Sequence, residues 1–216
     1  MDSPSKDNIL CRLHLNAVLF ALEDLVAVVP EAKQILSKES FSIAFTTSSK
    51  LKSAVKFQDG KCEFIGAMDT PDAIKIHYLS ERHLNRTFTQ SGFTLPLLTS
   101  GFFKLKQLII FKRLSTLLNK YLQPDTSSLE ETTFRSKHLK ILLGLMLAAI
   151  KELSENEPFS RDLLKSTPEG LAFFSIRDDD ISGWLQWKDG KVNYGKGDSP
   201  YPPDARIVFE DSAIAL

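Results

Sequence analysis

The chain carries one sequence pattern twice within its 216 residues, with an offset of about 130 residues between the copies. The first copy reads AVKFQDGKCEFIGAMDTPDAIKIHYLSE over residues 54–81, and the second reads WLQWKDGKVNYGKGDSPYPPDARIVFED over residues 184–211. In each copy an aromatic residue precedes Asp-Gly-Lys, a second aromatic residue follows it, and Pro-Asp-Ala opens a later apolar run. A repeat of this length predicts two copies of one folding unit.

The match extends upstream of these segments. Pro30 aligns with Pro158, and Phe41 aligns with Leu171. The offset between aligned residues grows only from 128 to 132 along the repeat, and loops absorb such insertions easily. One phase difference remains, because the apolar positions of the strand after Pro-Asp differ by one residue between the copies. A β-bulge would account for this difference.

The two copies end differently. About fifty residues follow Asp72 before the next linker-like segment, whereas twelve residues follow Asp204. We therefore expect a complete domain over residues 1–124, a linker over residues 125–133, and a second domain over residues 134–216 that is incomplete at its C-terminal end. Because the last residues begin a helical pattern without a cap, the first explanation expected is a longer natural chain. Docking of the first copy and pairing with another chain are the alternatives.

Composition narrows the class of protein. Apolar residues make up 43% of the chain, enough for a core in each copy, and the formal net charge of zero gives no global case for nucleic-acid binding. Cys11 and Cys62 have neither disulfide nor zinc spacing, which is typical of a reducing compartment. The N-terminus lacks a signal-peptide core, and no apolar stretch reaches membrane-spanning length. These features predict a soluble cytoplasmic protein without a metal or another cofactor.

Periodicity and turn signals predict the secondary structure. Apolar residues at intervals of three or four predict helix over residues 8–37, with a bend or break at Pro30. Asp59-Gly60 and Asp189-Gly190 predict equivalent hairpin turns, since glycine tolerates positive φ. The other elements expected in the first copy are strands over 41–45, 54–57, 62–65, 74–78 and 101–108, and helices over 80–88 and 109–122.

This order of elements resembles the sterol carrier protein type 2 family. The resemblance rests on the long N-terminal helix, the Asp-Gly hairpin, the Pro-Asp-Ala strand that leads into Ser-Glu-Arg at residues 80–82, and the segment TSGFFKLK at residues 99–106. It covers residues 8–124 fully and residues 134–216 in part. It implies an α+β fold of two sterol-carrier-like units, each with a mostly antiparallel sheet covered by helices. It also implies an apolar tunnel that carries fatty-acyl or sterol-like lipids.

A lipid site in such a tunnel would fall on the basic, apolar segment after the repeat. Residues 82–124 contain seven Lys or Arg and no Asp or Glu. Their helix would act as a lid, with its inner face on a lipid and its basic edge on anionic headgroups. The candidate lipid-lining residues are Phe93, Leu95, Leu97, Leu98, Phe102, Leu105, Leu108, Phe111 and Leu114. The candidate headgroup contacts are Lys104, Lys106, Lys112 and Arg113.

Other interpretations stay open. The same apolar residues suit an ordinary core, and the fifteen phenylalanines could fill the cavity and leave an interaction or scaffold module. The basic half could also dock on the acidic half. An enzyme has the least support, because Cys11 and His14 lack a third partner nearby and no nucleophile elbow, P-loop or dinucleotide motif is present. The expected partners are a lipid, an anionic membrane surface, and a second copy or completing partner at the second domain.

Overall fold

The computed structural model describes residues 4–89, 97–98 and 104–215. The chain divides into an N-terminal unit, Ser5–Lys120, and a C-terminal unit, Tyr121–Leu216 together with Met1–Pro4. Each unit has its own sheet and its own helices, so the fold is α+β with two sheet units, as the sequence predicted.

The N-terminal unit begins with a bent helical segment. Its parts are α1 (Lys6–Leu13), a π-helical turn (His14–Val18), α2 (Ala21–Val28) and α3 (Pro30–Leu36). The hydroxyl of Ser5 accepts a hydrogen bond from the backbone N–H of Asn8 and caps α1. Pro30 begins α3, at a position where a missing N–H breaks no helical hydrogen bond. The predicted helix with a break at Pro30 is confirmed.

Five described strands form the sheet of the N-terminal unit. They are β1 (Ser40–Thr47), β2 (Lys52–Gln58), β3 (Lys61–Gly66), β4 (Ile74–Tyr78) and β5 (Leu97–Leu98), in the order β3-β2-β1-β4-β5. Neighbouring strands are antiparallel except for β1 and β4, which run parallel. The sheet is therefore mostly antiparallel, as expected.

Helices cover one face of this sheet. Alternate residues of β1 and β4 point to that face and are buried, as in the pairs Ile43 with Ile74 and Phe45 with Ile76. Two further helices complete the unit, α4 (Glu81–Phe88) and α5 (Leu105–Leu122). The Ser80 hydroxyl caps α4 by accepting the backbone N–H of His83, which confirms the predicted helix over residues 80–88.

The C-terminal unit repeats the order of helices followed by four strands. Its helices are α6 (Thr126–Glu130), α7 (Thr132–Asn156) and α8 (Pro158–Ser166), and its strands are β6 (Gly170–Ile176), β7 (Ile181–Lys188), β8 (Lys191–Lys196) and β9 (Ala205–Phe209). The strand order is β8-β7-β6-β9, with only the β6–β9 pair parallel. Leu147 of α7 packs against Leu185 and Val192, so α7 covers β7 and β8.

The two Asp-Gly turns are equivalent in structure. Asp59 and Asp189 both have a φ of 51°, and Gly60 and Gly190 follow with φ values of 74° and 68°. Two consecutive residues with positive φ define the hairpin turn that matches the right-handed twist of the flanking strands. Since the turns join β2 to β3 and β7 to β8, the prediction of a shared hairpin is confirmed.

Strand pairing corrects the sequence alignment by one residue. Phe41 lies opposite Phe57 in the first sheet, and Gly170 lies opposite Trp187 in the second. Because Phe57 and Trp187 both precede Asp-Gly by two positions, Phe41 corresponds to Gly170. The alignment of Phe41 with Leu171 was wrong, since Leu171 points to the opposite face of its sheet.

The phase difference in the last strand of the repeat also has a simple origin. Pairing with β1 and β6 aligns Ile74 with Ala205, and two residues further it aligns Ile76 with Ile207. The pairing of β9 with β6 runs without a shift of register. The proposed bulge in this strand is therefore not needed, because the one-residue difference in phase arises in the loop before β9.

Two expected elements differ in the structure. The strand predicted over residues 101–108 is wrong for its described part, because Leu105 and Lys106 begin α5. The alternation of Lys and Leu ends there, and apolar residues at helical spacing take over from Leu105. The segment 125–133, expected to be a linker, contains α6, which is capped by the carboxylate of Asp125. The compact units divide after Lys120.

Candidate functional site

The predicted lipid site lies in the layer between α5 and the sheet of the N-terminal unit. Ile110, Leu114 and Leu118 recur at intervals of four along α5 and are buried, so one stripe of the helix packs inward. The half-buried Phe111 lies beside this stripe. Its ring centroid is 5.5 Å from that of Phe45 and 6.3 Å from that of Phe57.

Phenylalanine rings fill this layer in a connected cluster. Phe41 and Phe57 have their centroids 4.9 Å apart, and Phe45 and Phe88 have theirs 6.0 Å apart. Together with Phe111, these rings touch one another at the separations typical of packed aromatic pairs. Phe45 and Phe57 are fully buried. These five rings therefore occupy part of the layer in which the lipid was predicted to lie.

The predicted lipid-lining residues fall into three groups. Leu114 is buried, and Leu108 and Phe111 are half-buried on α5, whereas Leu105 is 64% exposed. Leu97 and Leu98 form β5 opposite His77 and Ile76. Phe93, Leu95 and Phe102 lie outside the described residues. The structure therefore brings Leu114 and Phe111 to the sheet, and it leaves Leu105 on the surface.

The predicted headgroup contacts lie on the exposed side of α5. Lys104, Lys106, Lys112 and Arg113 are all exposed. The ammonium group of Lys104 donates to the backbone carbonyl of Asp72 at 3.2 Å, and that of Lys106 pairs with the Glu39 carboxylate at 2.6 Å. Two of the four cations therefore tie α5 to its own unit, and surface pairs of this kind contribute little to stability.

A buried polar network joins α1 to α4, and sequence reasoning did not find it. The ring Nδ1–H of His14 donates to the side-chain carbonyl of Asn85 at 3.0 Å, and the Asn85 amide donates to the backbone carbonyl of Asp7 at 2.9 Å. The Asn8 amide donates to the Glu81 carboxylate at 3.2 Å. His14 and Asn85 are 71 residues apart, so no local pattern could have indicated the pair.

The pKa shifts of the side chains in and around this network are those of buried, unreactive groups. Burial lowers the pKa of His14, and the hydrogen bond with Asn85 opposes that shift. Burial and the nearby Glu81 carboxylate raise the pKa of the Cys11 thiol to about 12, so the reactive thiolate is suppressed. Burial also raises the pKa of Tyr78 to about 12. A neutral imidazole beside an inert thiol gives no activated nucleophile.

Two cavities are described on the C-terminal unit. One shallow cavity of about 410 Å³ is lined by Phe173, Tyr201, Arg206 and the polar and proline residues between Asp198 and Pro203. The guanidinium carbon of Arg206 lies 5.5 Å from the centre of the Phe173 ring, a cation–π contact. A second cavity of about 360 Å³ has Lys140, Asp180 and Lys196 in its wall. Neither cavity has the mostly apolar wall that a lipid tail requires.

The described residues offer little for a metal site or a membrane span. Among the described residues, no group of three or more His, Cys, Asp or Glu side chains is arranged to hold a metal ion. No single helix in the described ranges is long and apolar enough to span a membrane, although the bent pair Lys6–Val28 and Pro30–Leu36, with a 98° bend, passes by length and composition. Comparison with known proteins found no matching family model, curated protein or solved structure.

Proposed function

We propose that this chain is a non-enzymatic interaction module built from two units of one sterol-carrier-like fold. The observation that supports it most is the phenylalanine cluster in the N-terminal unit. Phe45, Phe57 and Phe111 occupy the layer in which a carried lipid would lie, and their rings contact one another. Packed rings stabilise the unit and take up space that a long apolar ligand would need.

Surface composition supports the same proposal. The C-terminal unit exposes Tyr201, Ile207 and Val208 around its last strand. Ile207 and Val208 point to opposite faces of β9, so an exposed apolar side chain is available to a protein partner on each face of this sheet edge. Cys11 and Cys62 are not joined in a disulfide, which suits a reducing cytoplasmic location.

Binding and carriage of a fatty-acyl or sterol-like lipid is the second candidate function. It is favoured by the exposed edge of α5, where Leu105 is 64% exposed and Ile109 is 53% exposed, one helical turn apart. The cations Lys106, Lys112 and Arg113 flank these two residues. An apolar strip with basic neighbours suits the headgroup region of an anionic membrane, from which a carrier would collect its ligand.

A fatty-acid titration of the full chain separates the two candidates. The interaction proposal expects no saturable binding of a fluorescent fatty acid below about 100 μM, and no co-purifying lipid in native mass spectrometry. Phe111→Ala removes a ring from the cluster and should create a site, so the variant should bind the probe while wild type does not. Saturable binding by wild type that is lost on Leu114→Arg would establish lipid carriage and overturn the interaction proposal.

A further inference from the structure

One row of residues across the second sheet differs from its counterpart in the first. The three residues that lie side by side on β2, β1 and β4 of the N-terminal unit are Ala54, Ala44 and Lys75. The equivalent three on β7, β6 and β9 of the C-terminal unit are Trp184, Phe173 and Arg206. Two small side chains and a lysine in one copy of the fold therefore correspond to two aromatic rings and an arginine in the other.

This row points away from α7. Phe174, the next residue along β6, packs in the cluster that contains Leu147 of α7, and successive residues of a strand point to opposite faces. The guanidinium carbon of Arg206 lies 5.5 Å from the centre of the Phe173 ring, so these two side chains share the face opposite α7. An aromatic surface and a cation are therefore presented together there.

The connection before β9 forms the second wall of a cavity on this face. It spans residues 197–204, eight residues, whereas the equivalent connection of the N-terminal unit spans residues 67–73, seven residues. Its residues from Asp198 to Pro203 line a cavity of about 410 Å³ together with Phe173 and Arg206. Pockets that bind small molecules have volumes of about 300–1,000 Å³, so this cavity is large enough for a small ligand.

The connection is anchored at both ends. The N–H of Gly197 donates to the carbonyl of Ser182 at 2.9 Å. The N–H of Asp204 donates to the carbonyl of Leu171 at 2.9 Å, and the Asp204 carboxylate accepts the N–H of Leu171 at 2.8 Å. Three of the six residues between these anchors are prolines, which fix the backbone angle φ. A wall that is already ordered loses little conformational entropy when a ligand binds.

The charged residues of the cavity suit an anion with one negative charge. No ion pair within the described residues involves Arg206, so its guanidinium can pair with a ligand. Arginine binds a carboxylate through two parallel N–H···O hydrogen bonds. Asp198 also lines the cavity, and its negative charge disfavours ligands that carry several negative charges. A single carboxylate therefore fits this wall better than a phosphate does.

We propose that this cavity binds a small aromatic carboxylate. The carboxylate would pair with Arg206, and the ring would lie against Phe173 and the exposed ring of Tyr201, since aromatic faces pack well on planar rings. The same chemistry occurs in free small molecules and at the C-terminus of a protein that ends in an aromatic residue. The inference goes beyond the proposed function, and only the second source would make the cavity a partner site of the interaction module.

Tryptophan fluorescence gives a direct test. Trp184 pairs with Phe173 across the sheet, so a ligand in the cavity should change its emission. The probe 3-phenylpropanoate contains no indole, and it is titrated into the full chain with excitation that is selective for tryptophan. We expect a saturable change with a Kd below about 1 mM. The uncharged 3-phenylpropanamide should bind at least about tenfold more weakly, because it cannot form the charged pair.

A pair of peptides distinguishes the two sources of this chemistry. The tetrapeptide Gly-Gly-Gly-Phe is titrated with a free C-terminal carboxylate and, separately, as its C-terminal amide. If the peptide acid binds at least as tightly as 3-phenylpropanoate and the amide does not, the cavity is assigned to protein C-termini. If only 3-phenylpropanoate binds, the cavity is assigned to a free small molecule.

Two arginines of the C-terminal unit provide matched variants. Both are exposed, but Arg177 pairs with Glu210 at 2.8 Å and does not line the cavity. Arg206→Gln should weaken the binding of 3-phenylpropanoate at least about tenfold, and Arg177→Gln should leave it within about twofold. Tyr201→Ser removes a ring that is 64% exposed, and it should weaken binding about threefold or more. Unfolding in urea shows whether each variant stays folded.

Three outcomes would overturn the proposal. They are no saturable change up to about 10 mM 3-phenylpropanoate, equal binding of the acid and the amide, and equal effects of the Arg206 and Arg177 variants. The proposed function is tested separately, because it concerns the N-terminal unit. Fatty-acid binding by that unit would be lost in Leu114→Arg and kept in Arg206→Gln, so the two failures are distinguishable.

Discussion

Ile76 and Ile207 hold equivalent positions in two sheets of one chain, yet the first is buried and the second is 45% exposed. Each points to the helix-covered face of its sheet, so the difference comes from what lies above it. Removing the side chain should therefore have unequal consequences. We expect Ile76→Ala to lower the free energy of unfolding of the N-terminal unit by about 2–5 kcal/mol, and Ile207→Ala to change that of the C-terminal unit by less than about 1 kcal/mol.

The two units can be followed separately. Both tryptophans, Trp184 and Trp187, belong to the C-terminal unit, so their fluorescence reports its unfolding in urea. Hydrogen exchange of peptides from residues 5–89 reports the N-terminal unit. Equal destabilisation by Ile76→Ala and Ile207→Ala would contradict the difference in burial.

The hairpin turns give a prediction that depends on backbone conformation. Gly60 and Gly190 have φ values of 74° and 68°, a region that a residue with a Cβ adopts at a cost of about 1 kcal/mol. A Cβ on Gly60 would come no closer than 3.4 Å to Lys33, and one on Gly190 no closer than 3.9 Å to Lys165. Gly60→Ala and Gly190→Ala should therefore destabilise their units by similar amounts, about 1 kcal/mol each.

Asp59→Asn is the control for this turn. Asparagine tolerates positive φ at least as well as aspartate, so the variant should unfold at the same urea concentration as wild type. If Gly60→Ala were also neutral, the positive φ assigned to the turn would be wrong.

The sequence predicted the local features of this fold. The Asp-Gly turns, the helix capped by Ser80 and the break at Pro30 each depend on a few adjacent residues with defined conformational preferences. The repeat extended these predictions to the second unit without further information. The repeat could not determine the register of the two copies. Whether Phe41 corresponds to Gly170 or to Leu171 depends on cross-strand pairing, which the sequence pattern does not show.

The candidate site was harder to predict for a physical reason. Apolar residues such as Phe111 and Leu114 give the same sequence pattern whether they line a cavity or pack against other side chains. Only the distances between side chains in the folded structure distinguish the two cases. Leu105 was predicted to point inward from a strand, but it is exposed because this segment is a helix. His14 and Asn85 meet across 71 residues, beyond the reach of any spacing argument.

Gly170 provides a test of the corrected register. A Cβ at this position would lie 2.7 Å from a ring carbon of Trp187, because the indole covers the space that Phe41 takes in the other unit. The ring is also held by a hydrogen bond from its N–H to the carbonyl of Pro168. Gly170→Ala should displace the indole, change its fluorescence, and destabilise the C-terminal unit by about 1–3 kcal/mol.

The neighbouring position serves as the comparison. Leu171→Ala removes a buried side chain from the opposite face and should destabilise the unit without moving the Trp187 emission in the folded state. An unchanged emission spectrum in Gly170→Ala would argue against the pairing of Gly170 with Trp187.

The two cysteines should differ in reactivity. Cys11 is fully buried, and its surroundings raise the pKa of the thiol to about 12, while Cys62 is half-buried on β3. Because the thiolate is the reacting species, a thiol reagent at pH 8 should label Cys62 first. Cys62→Ser should then resist labelling until urea opens the N-terminal unit. Rapid labelling of folded Cys62→Ser would show that α1 opens far more readily than its burial implies.

The last prediction concerns acid and the network around His14. The imidazole is buried, stacks on Phe88 with a centroid distance of 5.1 Å, and is fixed by its hydrogen bond to Asn85. Burial lowers the pKa of His14 below its ordinary value of 6.5. The unfolded chain therefore takes up a proton near pH 6.5 while the folded chain does not, so the free energy of unfolding falls as the pH drops below about 6.5.

A second group titrates in a different window. Hydrogen bonds, the largest from the Ser49 hydroxyl, lower the pKa of Glu81 below 4.5. The stability that Glu81 contributes is present above that value and is lost only as the pH falls through its lower pKa in the folded state. A loss of stability between pH 7 and pH 5.5 is therefore expected from His14 rather than from Glu81.

His14→Gln tests this assignment, because glutamine does not titrate and its amide can still donate to Asn85. Hydrogen exchange of peptides from residues 5–89 should show opening of wild type increasing as the pH falls from 7 to 5.5, after correction for the intrinsic exchange rate. The increase should be much smaller in His14→Gln, although that variant is less stable at pH 7 because glutamine does not replace the stacked ring. His83→Gln changes a half-buried histidine on α4 whose ring packs edge-on against Tyr78 and does not touch Asn85, and this variant should keep the pH dependence of wild type. If His14→Gln and wild type lose stability in parallel, the acid sensitivity of the N-terminal unit arises from another group.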